Sequence, residues 1–145
     1  MRRIQAVAVG LCLTLAGCAN ARQNAYIAGK STKELVDSAY EPWDEFVNER
    51  IDECSEKVDP DNGGTKAQFE ACLGPANEHD KVVQALEIYH TAALALFVVL
   101  SRQDAKDEDV KAAQQELLKA AQEILRLIPG ANERIEQVKA LVGGL

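Results

Sequence analysis

Histidine is scarce in this chain: His79 and His90 are the only two in 145 residues. They stand eleven apart on what reads as one helix, about 16 Å along its axis. That is too far for them to act with Ser101 on one substrate atom. No G-x-S-x-G elbow, no glycine loop that cradles phosphate and no H-E-x-x-H occurs, so the usual hydrolase, nucleotide and zinc-protease constellations are missing. The chain reads as a non-enzyme. Strand-like alternation and internal repeats are absent too, which points away from sheets and solenoids. Positive charge is in short supply, with 16 Lys and Arg against 23 Asp and Glu. Nucleic acid and anionic headgroups would repel such a surface; a basic partner, or simple solubility, suits it.

Long apolar runs are also lacking. The longest in the body of the chain is AALALFVVL, nine residues at 92–100, and extending it backwards meets His90, Glu87 and Gln84. A bilayer-spanning helix needs roughly 20 apolar residues. The run reads instead as the buried centre of a helical bundle.

The first eighteen residues, MRRIQAVAVGLCLTLAGC, follow another pattern. Arg2 and Arg3 lead, Ile4–Leu15 form a 12-residue, mostly apolar run, and small residues precede Cys18. This is the order of a secretory signal. Its last four residues, Leu15-Ala16-Gly17-Cys18, resemble the lipobox of bacterial membrane lipoproteins. The resemblance covers only the signal. It implies that residues 1–17 are cleaved as a signal peptide, that the Cys18 thiol carries diacylglycerol, and that the new amino group is acylated. A plain secretory signal cut elsewhere is the alternative. Two or three acyl chains hold firmly where one binds marginally. Position 19 is Ala and not Asp, which by the same resemblance favours the outer membrane, facing the periplasm, in a Gram-negative host. In size and signal alone the chain is also similar to small bacterial and phage-encoded lipoproteins.

Cleavage would leave 128 residues at a formal charge of −9, one modest domain. Residues 18–30 are small and polar and read as a tether to a helical domain over 31–145. Ser31 and Glu34 have capping-box spacing, and a three-and-four stripe follows from Leu35 through Trp43 and Val47 to Cys54. Pro42 falls within it and predicts a kink or two abutting helices. The acids Asp44 to Glu56 fill the outer face. DPDNGG at 59–64 is a turn, and Thr65–Gln68 offers a second capping box. Gly74-Pro75 predicts an interruption before the apolar helix. A further helix is expected over 107–128, with acids at its start, and a last one capped by Asn132 with Ile135, Val138 and Val142 inward.

The expected fold is all-α, a small antiparallel bundle of three to four helices with one disulfide. With Cys12 removed and Cys18 acylated, Cys54 and Cys72 remain as an even pair in an exported protein. Across a helical hairpin their positions come nearly level. The same turn holds a candidate metal set: Asp59, Asp61, Gly64 and Glu70 occupy places 1, 3, 6 and 12 of the calcium-loop pattern. Gly63 at place 5 supplies no carboxylate, Pro60 stiffens place 2, and a helix opening at Thr65 would cut the loop short. An acidic turn needs no ion.

These features predict a lipid-anchored envelope protein working by protein–protein contact, in a structural, inhibitory or exclusion role, with the acidic face from Asp44 to Glu56 as the first candidate surface. No cofactor is required. A carrier of an apolar ligand or lipid, held around Leu94 to Leu100, is the alternative, and a calcium-stabilised module a further one.

Overall fold

A computed structural model of the chain describes residues 21–143, and among these there is no strand. The helices are α1 (Ala21–Lys57), α2 (Lys66–Leu73), α3 (His79–Ser101), α4 (Asp107–Leu127) and α5 (Asn132–Gly143). A 3-10 turn over Gly74–Glu78 joins α2 to α3, so Lys66–Ser101 runs on as one interrupted helical segment of 36 residues. Counted that way the bundle has four helical members. Residues 1–17, expected from the sequence to be a signal peptide, and Cys18 with them, lie outside the described residues.

Helix α4 is the hub, packed chiefly on α3, then on α1 and α5, while α1 and α3 meet each other only thinly. Its inward stripe explains this. Val110, Leu117, Leu118, Ala121, Ile124 and Leu125 are all buried, at the spacing of one broad helical face. Asp107, Glu108 and Asp109 open the helix, where its dipole favours acids. Ile135 and Val138 of α5 are buried as expected. Helix α5 starts at Asn132 itself, however, and the carbonyl of Ala131 accepts from the amides of Arg134 and Ile135.

The tether expected over 18–30 is helical from Ala21 onward. Ser31 therefore lies nearly three turns inside α1 and caps nothing. The local pattern of ANARQNAYIAGK is weak, but Ala25, Ala28 and Thr32 find buried positions. Packing overrides the cap signal. Thr32 fits inside the helix because its hydroxyl donates to the carbonyls of Ala28 and Gly29, at 2.9 and 3.0 Å.

Pro42 does not end α1. A proline lacks the N–H that the carbonyl four residues earlier would receive; here that carbonyl belongs to Ser38. Arg134 of α5 takes over, its Nη2 donating to Ser38 O at 3.1 Å and its Nε to Ser38 Oγ at 2.9 Å. The cost of the proline is thus offset from another helix.

At the far end of α1 the expected disulfide joins Cys54 to Cys72, with Cα atoms 5.8 Å apart. Arg50 reinforces it by donating to the Cys72 carbonyl at 2.5 Å, close to where α2 ends and its carbonyls lack partners. Thr65 and Gln68 form the expected capping box at the start of α2.

Candidate functional site: the apolar end of the α1–α3 pair

The largest departure from the sequence pattern is in α3. The run 92–100 is not the buried centre of the bundle: Leu94 is 65 % and Phe97 69 % exposed, with Val98 and Ile88 also open. The reason is geometric. Over residues 92–100 helix α3 is apolar all round, yet only part of the helix is covered: Val82, Ala85, Tyr89 and Leu96 are buried, the last two beside α1 at Thr32 and Gly29. Its contact with α1 is too thin to cover the rest. Tyr26 and Ile27 of α1 are exposed as well. By length and composition Lys66–Ser101 would suffice to cross a membrane, and about a fifth of its most apolar window is buried.

Between α1 and α3 lies a cleft of about 380 Å³. Small residues of α1, Ala25 and Gly29, leave the room. Phe97 and Leu100 of α3 form its wall, and Leu117 of α4 lines it from behind. A Cβ added at Gly29 would come 3.5 Å from Leu96 and 3.8 Å from Leu117, so a longer side chain there would enter the cleft. Polar groups at the edge are few. Lys33 pairs with Asp37, which holds the ammonium pKa above its ordinary value. Burial raises the Tyr89 phenol above its ordinary 10.0, and a hydrogen bond with Thr32 works the other way.

The end of this pair is closed by Arg22. Its guanidinium donates to the carbonyls of Leu100 (3.0 Å), Arg102 (2.8 Å) and Ala105 (3.0 Å). These are the groups that the C-terminus of α3 and the following loop leave without helical partners. In that loop Asp104 accepts from Arg102, which draws its carboxyl below the usual range. The start of α1 is thereby fixed level with the end of α3.

The other candidates fall elsewhere. The carboxylate of Asp59 accepts from the amide of Asp61 at 2.9 Å and from the side chain of Asn62, which is the hydrogen bonding of a turn. Glu70 sits within α2 and pairs with Lys66 at 3.5 Å. Among the described residues no three His, Cys, Asp or Glu side chains converge as a metal-binding group. His79 faces Asp44 at 3.9 Å, while His90 lines the cleft. The acids Glu45, Glu49, Asp52, Glu53 and Glu56 are exposed along α1, as the stripe requires. Trp43 is buried, and Phe46 lies beside it at a ring separation of 5.7 Å.

The sequence reading missed the exposed apolar face and the α1 side of the cleft, although its alternative of a ligand held around Leu94 to Leu100 falls on the α3 side. A signal for both was present: a helix without a polar side cannot be covered on every side in so small a bundle. Comparison with protein-family models, with curated proteins and with solved structures finds no match.

Proposed function

We propose that this chain is a lipid-anchored protein of a bacterial envelope, held through Cys18, that acts by contact with another protein in a structural, inhibitory or exclusion role. Charge distribution is the observation that carries the contact reading. Residues 34–87 hold fifteen acids against four bases, many of them on the exposed side of α1, where Lys33 pairs with Asp37 and Arg50 and Lys57 share Glu53. A partner of basic chemistry suits that face. By the sorting resemblance at Ala19 the protein belongs at the outer membrane, facing the periplasm, in a Gram-negative host. Capture from intact envelopes tests the reading: lipidated protein should retain a reproducible partner, and Glu45→Lys with Glu49→Lys and Asp52→Lys should release it. No partner, or one indifferent to those changes, would count against the contact role.

The cleft favours a second reading, a carrier of an apolar ligand or lipid. Its volume lies within the range of small-molecule sites and its walls are mostly apolar. Protein freed of its own anchor should then co-purify with a lipid detectable by mass spectrometry, and Gly29→Leu should remove it. Clean protein from both forms would exclude this reading.

A further inference from the structure

We propose that the end of the bundle bearing Tyr26, Ile27, Leu94, Phe97 and Val98 seats in the acyl region of the bilayer beside the Cys18 lipid. The inference rests on the lipid-anchor reading and deepens it, because it says which side of the domain meets the membrane.

Chain length supplies the first argument. Cys18 precedes Ala21, the first residue of α1, by three positions. Fully extended, that reach is about 11 Å. Whatever path those residues take, the lipid enters the bilayer close to the start of α1. Arg22 then fixes the register, tying this start to Leu100 and Arg102. Counting back along α3, Phe97 and Leu94 lie about 5 and 9 Å from the level of Leu100. Tyr26 and Ile27 lie about 6 and 8 Å along α1 from Arg22. Five of the eight exposed large apolar side chains thus gather within two turns of the Arg22–Leu100 level; Ile88 lies farther up α3, and Phe46 and Ile51, toward the disulfide-tied end, are the least exposed of the set.

Charge supplies the second. Residues 21–33 and 88–103 contain no acid; their charged groups are Arg22, Lys30, Lys33 and Arg102. The negative charge that would repel a membrane surface is concentrated in residues 34–87. The nearest acids on the other side are Asp104, engaged by Arg102, and Asp107, Glu108 and Asp109 in the first turn of α4. Asp37 at the cleft edge is paired with Lys33. An apolar patch flanked by cations, with its bordering acids Asp37 and Asp104 both paired, has the composition of a surface that lies in the interface.

Helix α3 fits seating better than crossing. A spanning α3 would carry Glu87 and Gln84 into hydrocarbon, and α4, packed along it, would bring Lys111, Glu116 and Lys119. Burial of the end alone demands none of this.

Lipidated protein with Leu94→Cys, labelled with a polarity-sensitive fluorophore, decides the matter in phosphatidylcholine vesicles. Glu49→Cys on the acidic face serves as reference, and Val98→Cys as a second position on the patch; all three sites are exposed, so the fold should tolerate the labels. The expected result is quenching of the 94 and 98 labels by brominated acyl chains several-fold beyond that at 49, with iodide in the water giving the reverse order. Equal access of iodide to all three, on protein that still floats with the vesicles, would leave the anchor standing and overturn the seating. A dry label at 94 that bromolipid does not quench, together with cross-linking between 94 positions, would assign the patch to a second copy and also overturn it. Protein that does not float would remove the anchor reading and the seating with it.

Discussion

At one end of the α1–α3 pair a covalent bond, Cys54–Cys72, holds a strongly acidic hairpin together. At the other, three hydrogen bonds from a single guanidinium, that of Arg22, hold an apolar and largely acid-free end. The hairpin end has little core of its own: between α2 and its loops only Leu73 and Ala76 are buried. A bridge there replaces the apolar burial that so short a segment cannot supply. The opposite end has apolar side chains in excess and leaves several uncovered. One region is short of hydrophobic surface and the other has more than the bundle can use.

Breaking the bridge should therefore give the largest effect. Cys54→Ala with Cys72→Ala opens a loop with a sequence separation of 18, and should cost about 3 kcal/mol on the loop-entropy account. Urea unfolding would read the loss. Hydrogen exchange would show the gain in opening confined to residues 50–78, with the amides around Arg22 unchanged. An equal rise at both ends would mean that the two regions share one cooperative unit, and the contrast between them would fail.

Next comes Arg22. Replacing it by Met keeps the apolar stem and removes the three donors. The carbonyls of Leu100, Arg102 and Ala105 then have only water to turn to, and about 2 kcal/mol should be lost. Exchange should now quicken at the end of α3 and in the first turns of α1, leaving the hairpin protected. Lysine should restore part of the loss only, since a single ammonium cannot reach three carbonyls with the geometry of a planar fork.

How much of this was written in the sequence differs between the same two regions. The disulfide, the Thr65 cap and the break at Gly74-Pro75 were legible because each depends on neighbours in the chain: a turn, a cap, a proline at a first-turn position. The lower part of α1 was legible through its stripe. Its upper part was not, because ANARQNAYIAGK has little periodicity and becomes helical through packing of Ala25, Ala28 and Thr32. The fate of Leu94 and Phe97 was hidden for a related reason. Periodicity can say that a helix lacks a polar face, but only the count and placement of its neighbours decide how much of it is covered. Arg22, Arg50 and Arg134 were silent for a third reason, since each serves a backbone carbonyl far from it in sequence.

Arg134 connects the two regions at the middle of α1, and its effect should be smaller. Its bonds to Ser38 are exposed, so Arg134→Ala should cost about 1 kcal/mol. A double-mutant cycle sharpens the point. With Pro42→Ala the helix regains its own N–H for the Ser38 carbonyl, and the loss on removing Arg134 should shrink. Independent, additive effects would show that the arginine does not serve the carbonyl that proline vacates.

The smallest effect concerns alkaline pH and engages the cleft through Tyr89. Burial raises its phenol pKa from 10.0, and burial with the nearby Asp44 carboxylate does the same for Tyr40 on the acidic side. A group whose folded pKa is the higher one holds its proton longer in the folded state. Its contribution to stability is fully present below the unfolded value of 10.0, and is lost as pH rises through the folded value. Stability should thus be flat with respect to these two groups up to about pH 10 and decline above it. Tyr89→Phe should make that decline shallower and leave the share of Tyr40. Following exchange during the titration separates the regions: the apolar end should loosen in the parent protein and hold in Tyr89→Phe. An unchanged alkaline slope would show that Tyr89 titrates as freely folded as unfolded, and that the cleft is wetter than its walls suggest.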